Sequence, residues 1–303
     1  MTTGTLFIAA VCAVALNLPA PLGSGVGPRQ AADSRKAPSQ TTSGSTDELF
    51  TRLAIETAPD GEVPAIELVV DGTAQFAVYD RFRLVSVAAR EALRTGQRLD
   101  PNAPPATLLA PRLVILAFAR TPMGSDTTRP QSIQLTDRTG QAVKRLPTPA
   151  PAELAALLPG VSIPPLTLAA SFAESELRPG DHVTVLFNQM GDLMFSRGPH
   201  SPTPGQSSAG VSFTPPVAIA TPWPTVPPGV RLARAHVDVH VSAVLDLTGH
   251  VRYARAVDGP ADLQAAAVAA LSQWTYSPAM IYKTPVPIAM AVSVPFHADR
   301  GYQ

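Results

Sequence analysis

Six histidines and a small set of acidic residues are the side chains in this sequence that could bind a metal or support catalysis. His236 and His240 have the H-x3-H spacing that places two metal ligands on one face of a helix. They alternate here with valines, which indicates a strand. Residues four apart on a strand are separated by ~13 Å, too far to share one zinc ion. We therefore interpret this pair as part of a polar sheet face.

The other candidate catalytic groups lack partners at a useful spacing. Asp181-His182 and His200 have no ligand nearby in the sequence. The chain has no G-x-S-x-G nucleophile elbow, no phosphate-binding loop and no G-x-G-x-x-G after a strand. The sequence therefore predicts no catalytic site, no cofactor and no metal, and we expect a protein that is not an enzyme.

Composition and charge narrow the classes of partner. The 303 residues carry a formal net charge of zero with no basic run, so binding to nucleic acid or acidic membranes has no electrostatic support. Cys12 is the single cysteine, which excludes an intramolecular disulfide and a cysteine-rich zinc site. Proline contributes 33 residues, about double the usual ~5%, and indicates linkers and loop-rich strands.

The N-terminus predicts export from the cytoplasm. Residues 1–22 are interpreted as a signal peptide or an N-terminal anchor, because the apolar core Leu6 to Leu16 is shorter than the ~20 residues that span a bilayer. Ala13-Val14-Ala15 has the small-x-small form of a cleavage site. Residues 23–46, rich in Ser, Thr, Gly and Pro, are predicted to be a disordered linker.

Residues 47–197 have the pattern of a β-rich, sandwich-like domain with one or two helices. Asp80 is predicted to cap a helix that runs to Thr95, with Leu93 on its apolar face and Gly96 as its stop. Asp137-Arg138-Thr139-Gly140 is interpreted as a hairpin turn. Strands are predicted at Ala65 to Val70, Leu113 to Ala119, Ser132 to Leu135, Gln141 to Leu146 and His182 to Phe187. This pattern indicates neither a family nor a role for the domain.

A proline-rich stretch at residues 198–229 separates this domain from the C-terminus. Its nine prolines favour extended conformations without internal hydrogen bonds, so we predict a linker. The alternative is a recognition segment for a proline-binding partner.

Residues 230–303 show a strand, strand, helix, strand order. Valines alternate with polar residues from His236 onward, and Asp246 to Gly249 is a turn. A helix beginning near Pro260 carries a continuous apolar stripe that ends at Trp274, which we interpret as a core residue in preference to a ligand-stacking aromatic. One face of the closing strand is predicted to hold Val286, Ile288, Met290, Val292, Val294 and Phe296.

This last segment resembles the C-terminal domain of the TonB family of energy-transducing proteins. The resemblance covers about Leu232 to Phe296, under a quarter of the chain. It rests on Gly249, Trp274, Tyr276, Pro278, Ala279, Pro285, Val286 and Phe296, in the pattern Trp-x-aromatic-x-Pro-Ala followed by Pro-Val. The fold class predicted for the chain is therefore α+β, with a C-terminal ββαβ TonB-like domain after a β-rich domain and a proline-rich linker.

The resemblance implies a partner and a site. In the TonB family a short peptide of an outer-membrane transporter pairs beside the last strand, and an inner-membrane helix couples the domain to motor proteins. The corresponding edge strand here consists of Ile288, Ala289, Met290, Ala291, Val292, Ser293 and Val294. An exposed strand edge offers unpaired N–H and C=O groups for such pairing.

Two functional hypotheses from different classes follow. The first is a periplasmic TonB-like transducer or adaptor that grips outer-membrane transporters, anchored in the inner membrane if its N-terminus is retained. The second is an exported structural protein whose C-terminal domain forms homodimers or binds another partner, without a motor role. A retained N-terminus favours the first hypothesis, and a cleaved N-terminus favours the second.

Overall fold

The computed structural model describes residues 44–70, 74–119, 128–189 and 203–298 of the protein. The predicted signal peptide or anchor, nearly all of the predicted linker at 23–46 and the start of the linker at 198–229 lie outside these residues. The described chain is mixed α+β, mostly strands with a few helices, and its sheets are small and open. Within it, no helix is long and apolar enough to cross a membrane.

Five helices and fifteen strands make up the described chain. In order they are α1 Thr46–Thr57, β1 Ile66–Val70, β2 Ala74–Tyr79, α2 Arg81–Arg94, α3 Ala106–Leu109, β3 Leu113–Ala119, β4 Thr128–Thr136, α4 Pro151–Leu157, β5 Leu168–Phe172, β6 His182–Gln189, β7 Thr203–Gly210, β8 Phe213–Thr214, β9 Ala218–Ala220, β10 His236–Leu245, β11 Val251–Asp258, α5 Ala261–Leu271, β12 Thr275–Tyr276, β13 Ala279–Ile281, β14 Thr284–Val286 and β15 Ile288–His297. A 3-10 turn, Ala58–Asp60, follows α1.

The chain forms two compact units. The amino-terminal unit comprises Gly44–Val217 together with Pro278–Pro287, and the carboxy-terminal unit comprises Ala218–Ser277 together with the residues from Ile288 onward. The boundary therefore falls inside the stretch predicted as a linker. The short segment Pro278–Pro287, predicted as part of the C-terminal domain, belongs to the amino-terminal unit.

Three antiparallel sheets build the amino-terminal unit. Their strand orders are β1-β2-β3-β5, β4-β6-β7 and β14-β13-β8. The strands predicted at β1, β3, β4 and β6 are present. The stretch Gln141 to Leu146 differs from its prediction, because only Ala142 and Arg145 form bridges, to Thr136 and Phe172. A continuous strand did not form there because the residues after the turn switch from one strand partner to another.

Helix α1 begins at a capping box that the sequence analysis overlooked. The Ser45 hydroxyl accepts a hydrogen bond from the Glu48 N–H, and the Glu48 carboxylate accepts one from the Ser45 N–H. These bonds satisfy two N–H groups that a helix start leaves unpaired. Phe50 and Leu53 are buried on the inner face of the helix. The S-x-x-E signal was present in the sequence and would have predicted this helix.

Helix α2 matches its predicted start and stop. The Asp80 carboxylate caps it by accepting the Arg83 N–H, and Gly96 follows in the left-handed conformation. Phe82 is buried, but Leu93, predicted on the same apolar face, is 37% exposed. Leu93 lies in the last turn of the helix, so its position on the apolar stripe did not bring it into the core.

A buried arginine holds the distant segment Pro278–Pro287 in the amino-terminal unit. The side chain of Arg83 is fully buried and pairs with the Asp80 carboxylate at 2.8 Å. Its other nitrogens donate to the carbonyls of Pro64 and Pro285 at 2.7 and 2.8 Å. These hydrogen bonds compensate for the free energy of removing the Arg83 charge from water. Removing one partner would leave the buried guanidinium incompletely paired and destabilise the fold. This link joins α2 to the β13–β14 hairpin.

The hairpin β13–β14 also pairs with the middle of the predicted linker. Strand β13 is hydrogen-bonded to β8, and the Tyr282 hydroxyl donates to the carbonyl of Gly210. Val286 therefore ends β14 and does not extend the closing strand, which begins at Ile288 after Pro287. Pro287 lies between these two strands, and the chain passes from one unit to the other there.

The described part of the predicted proline-rich linker forms three strands, β7, β8 and β9. Pro204 lies in β7, the edge strand of its sheet, where a missing N–H need not break a ladder. Pro215 and Pro216 fall between β8 and β9, outside regular pairing. Proline content alone predicted an extended chain, and the pairing partners of these strands lie elsewhere in the sequence.

The carboxy-terminal unit contains the sheet β11-β10-β15 and helix α5. The helix packs on β11 and β10. The predicted apolar stripe is buried in the core, where Leu263, Ala267, Leu271 and Trp274 contact residues of the sheet. Val226 joins the same core from the segment that had been predicted as a linker.

A cluster of carboxylates and a buried guanidinium connects α1, α2 and the loop before β6. Ser175 donates from its hydroxyl to Asp47 at 3.2 Å and accepts the Arg81 N–H with its carbonyl at 2.7 Å. The Arg81 guanidinium is buried and lies 3.3 Å from Asp47. Burial, and to a smaller extent the charges of Asp80 and Asp47, raise the pKa of the neighbouring Glu176 to about 7.

This cluster predicts that the amino-terminal unit loses stability as pH rises from about 4.5 through about 7. The folded state holds the Glu176 proton more tightly than the unfolded chain, whose glutamate pKa is ~4.3, so the stabilisation is complete at acid pH and lost on ionisation. The difference between the two pKa values corresponds to ~3–4 kcal/mol of stability. Urea unfolding followed by circular dichroism between pH 5 and 8 should show the decline, and Glu176→Gln should remove most of it.

Glu174→Gln is the matched control for this prediction. Glu174 lies two residues away, is half-buried and pairs with Arg178 at 3.3 Å. The control variant should keep most of the decline in stability above pH 5. An unchanged pH profile in Glu176→Gln would contradict the proposed role of the Glu176 proton.

Candidate functional site

Strand β15 is an edge strand of the carboxy-terminal sheet. It pairs along its whole length with β10, from Ile288 opposite Leu245 to His297 opposite His236. Among the described residues no strand pairs with its other side. The seven residues predicted as a partner-binding edge, Ile288 to Val294, all lie in this strand.

The register of β10 and β15 identifies the backbone groups that point away from the sheet. The Ala298 N–H donates to the Ala235 carbonyl, and the ladder continues from there without a register shift. Because hydrogen-bonded and non-hydrogen-bonded pairs alternate in an antiparallel ladder, the even-numbered residues of β15 bond to β10. The odd-numbered residues, Ala289, Ala291 and Ser293, therefore direct their N–H and C=O groups outward.

The two prolines near this strand agree with the same alternation. Pro295 is odd-numbered, so its missing N–H falls on the free side and costs no bond to β10. Pro287 precedes the strand. Between them the free edge presents three outward N–H groups over ~13 Å, which suits a partner strand of about five residues.

The two faces of β15 differ. Val294 and Phe296 are buried in the core, and Met290 and Val292 pack against it while remaining partly exposed. Ala291 and Ser293 are exposed on the opposite, outer face. An added strand would therefore lie beside half-covered apolar side chains on one face and small side chains on the other.

Strand β11 forms the opposite edge of the sheet and is less suited to pairing. Its ladder with β10 contains two bulges, at His240/Val241 and Val244/Leu245. It also carries the charged residues Arg252, Arg255 and Asp258. Bulges and charges are common devices that protect an edge strand from adding another strand.

A tight corner involving Gly249 supports the sheet. Gly249 has φ +84°, and a Cβ atom there would overlap the carbonyl oxygen of Tyr276. The Tyr276 N–H donates to the Gly249 carbonyl at 3.0 Å. Trp274 donates from its indole nitrogen to the carbonyl of Pro222 at 2.9 Å. Burial raises the pKa of Tyr276 to about 12, which keeps its hydroxyl protonated.

The turn before Gly249 is organised by the buried side chain of Asp246. Its Oδ1 atom accepts hydrogen bonds from the N–H groups of Thr248 and His250 at 2.8 and 3.0 Å. Its Oδ2 atom accepts the Arg252 Nε–H at 2.7 Å. Burial opposes ionisation, but these bonds outweigh it and hold the pKa of Asp246 below its ordinary value. The same D-x-T-G turn occurs at Asp137, whose carboxylate accepts the N–H groups of Thr139 and Gln141.

The residues of the predicted family motif fall into two groups. Gly249, Trp274, Tyr276 and Phe296 lie in the carboxy-terminal unit, the last three in its core. Pro278, Ala279, Pro285 and Val286 lie in the amino-terminal unit, where Pro278 precedes the β13–β14 hairpin and Ala279 pairs with Val286. The Trp-x-aromatic-x-Pro-Ala pattern thus spans a change of unit after Ser277.

The histidines considered as metal ligands lie where the strand interpretation placed them. His236 and His240 are exposed on the outer face of β10. Throughout the described ranges no group of three or more His, Cys, Asp and Glu side chains could hold a metal ion. His182 lies in β6, and His200 is outside the described residues.

Sequence reasoning missed the contribution of residues 218–226 to this unit. Strand β9 pairs with β12, and Val226 is buried in the core beside the sheet. The V-A-I-A run between prolines was the available signal for a short strand. Its partner, Thr275–Tyr276, could not be identified from spacing.

Comparisons of the chain with protein-family models, with curated proteins and with solved structures find no match.

The Gly249 corner generates a prediction about stability. Gly249→Ala should destabilise the carboxy-terminal unit by ~3 kcal/mol or more, because a left-handed non-glycine residue costs ~1–2 kcal/mol and steric overlap adds to it. Both tryptophans, Trp223 and Trp274, lie in this unit, so urea unfolding monitored by fluorescence reports on it.

Gly229→Ala is the matched control. Gly229 has φ +85°, but an added Cβ atom would have no heavy atom within 4 Å, so only the ~1–2 kcal/mol conformational cost applies. Equal destabilisation by the two substitutions would show that the close approach to Tyr276 is unimportant.

Proposed function

We propose that the protein binds an extended peptide by strand addition beside β15. The observation that carries the proposal is the regular free edge, where Ala289, Ala291 and Ser293 direct their backbone groups outward. Each net backbone hydrogen bond contributes ~0.5–1.5 kcal/mol. Pairing at these three residues would contribute affinity, while the side chains beside the added strand would set specificity.

The partner we propose is a short segment of an outer-membrane transporter. The order β10, β11, α5, β15 is the order that the resemblance to the TonB family implies, and it supports a TonB-like ββαβ domain. In this proposal the protein is exported to the periplasm or cell envelope. Coupling to inner-membrane motor proteins, and energy transduction for transmembrane transport, require a retained N-terminal anchor.

A homodimer formed by the same edge is the second candidate. Pro287 and Pro295 lie symmetrically about Ala291, four residues to either side. Two copies of β15 could pair antiparallel around Ala291, because outward-pointing groups would face each other in register. Such a protein would act as an exported structural adaptor without a motor role.

A proline substitution on the free edge tests strand addition. Ala291→Pro removes an outward N–H while leaving the bonds between β15 and β10 in place. Binding of the full chain to transporter-derived peptides should weaken by at least ~1 kcal/mol, about five-fold in Kd. Fluorescence anisotropy with labelled peptides measures the change, after circular dichroism has shown that the variant folds.

Ala291→Ser is the matched control, because it changes the side chain at the same exposed position and keeps the N–H. The control should bind like the original chain. Unchanged binding by folded Ala291→Pro would refute strand addition at this edge. Sedimentation of the same variants separates the two candidates, since a β15-mediated dimer would become monomeric in Ala291→Pro.

A further inference from the structure

Three aromatic rings meet at the end of β15 that lies beyond Pro295. The rings of Trp223 and His297 are 5.1 Å apart in an edge-on arrangement, and those of His297 and His236 are 4.7 Å apart. Trp223 is 47% exposed. His236 and His297 are paired residues of β10 and β15, so the cluster continues the outer face of the free edge.

A carboxylate completes this cluster. Asp238 Oδ2 lies 3.1 Å from His236 Nε2, and the Asp238 side chain is 40% exposed. Asp258 lies opposite His240 on the same sheet and adds a second acidic group at this end. Arg255 lies opposite Ser242, four residues along β10 from Asp238. Exposed π faces beside carboxylates are complementary to a cation.

Pro295 separates this cluster from the regular part of the free edge. Outward N–H groups occur at Ala289, Ala291, Ser293 and His297, and Pro295 interrupts the series before the last of them. An added strand that continues past Ser293 therefore finds no backbone donor at Pro295. Discrimination among partners at this end depends on side chains, and the side chains available there are the rings and Asp238.

We propose that Trp223, Asp238, His236 and His297 form a site for a lysine or arginine side chain of the docked strand. This inference rests on the proposed function, since it requires a strand beside β15. The cationic residue lies opposite Pro295 or His297, because residues of the added strand that face these positions project on the outer face. The partner is thus an extended segment with a basic residue near one end.

Two synthetic peptides test this site with the full chain. Each has nine residues with alternating Thr and Val in its centre, and the two differ only in carrying Lys or Gln at both ends. The lysine peptide should bind about five-fold more tightly by fluorescence anisotropy, because an exposed cation–π contact and a surface ion pair each contribute modestly. The preference should shrink at high salt, since exposed charges are screened.

Substitutions in the ring cluster test whether its side chains cause the preference for the lysine peptide. Asp238→Asn and Trp223→Leu should each reduce the lysine-to-glutamine ratio of affinities to between one and two, while binding of the glutamine peptide stays unchanged. His240→Gln is the control, because His240 is exposed on the same face opposite Ser293 but outside the ring cluster. That control should keep the five-fold preference.

The outcomes separate this inference from the proposed function. Equal binding of both peptides, lost in Ala291→Pro, would overturn the basic-residue site and leave strand addition standing. A lysine preference that persists in both Asp238→Asn and Trp223→Leu would also overturn the site. Absence of binding by either peptide would overturn strand addition and the site together.

Discussion

The unbroken antiparallel register between β10 and β15 is the constraint on which the proposed binding surface depends. The hydrogen bond from the Ala298 N–H to the Ala235 carbonyl shows which residues of the ladder bond across the pair. A shift of one residue would turn the apolar side chains outward and reverse the direction of every amide. In the observed register the missing donor of Pro295 falls on the free side, where it limits the pairing surface without weakening the sheet.

Among the described residues of the carboxy-terminal unit, no strand pairs with the free side of β15. Helix α5 packs on β11 and β10, so Met290 and Val292 on β15 are only partly covered. The opposite edge is bulged and charged. The Gly249 corner brings the chain after α5 back against the start of β11, through the hydrogen bond between Tyr276 and Gly249. The outward backbone groups of β15 thus lie at the edge away from β11.

The amino-terminal unit depends on contacts between residues far apart in the sequence. Arg83 is fully buried and donates to the carbonyl of Pro285, across an interval of 202 residues. The hairpin that contains Pro285 pairs with β8. This unit cannot be reduced to the continuous stretch 47–197, because a buried cation without its carbonyl and carboxylate partners is strongly unfavourable.

Short-range signals in the sequence were sufficient to predict several local elements. Alternating valines predicted β10, the apolar stripe predicted α5, and Asp80 predicted the start of α2. Each signal reflects hydrogen bonding or side-chain periodicity within about a dozen residues. Alternation also predicted the closing strand, whereas the choice of Ile288 to Val294 as a binding edge came from the resemblance to the TonB family. The S-x-x-E signal at Ser45 was equally local and was overlooked.

In contrast, strand pairing and the unit to which each segment belongs became known only from the folded chain. Prolines at 198–229 suggested a free linker, yet β7, β8 and β9 find partners in β6, β13 and β12. The outward direction of the Ala291 amide also followed from the register with β10, because a strand's own sequence does not distinguish its two edges. Pairing depends on the free energy of contacts between distant residues, and no local pattern encodes which distant residues will meet.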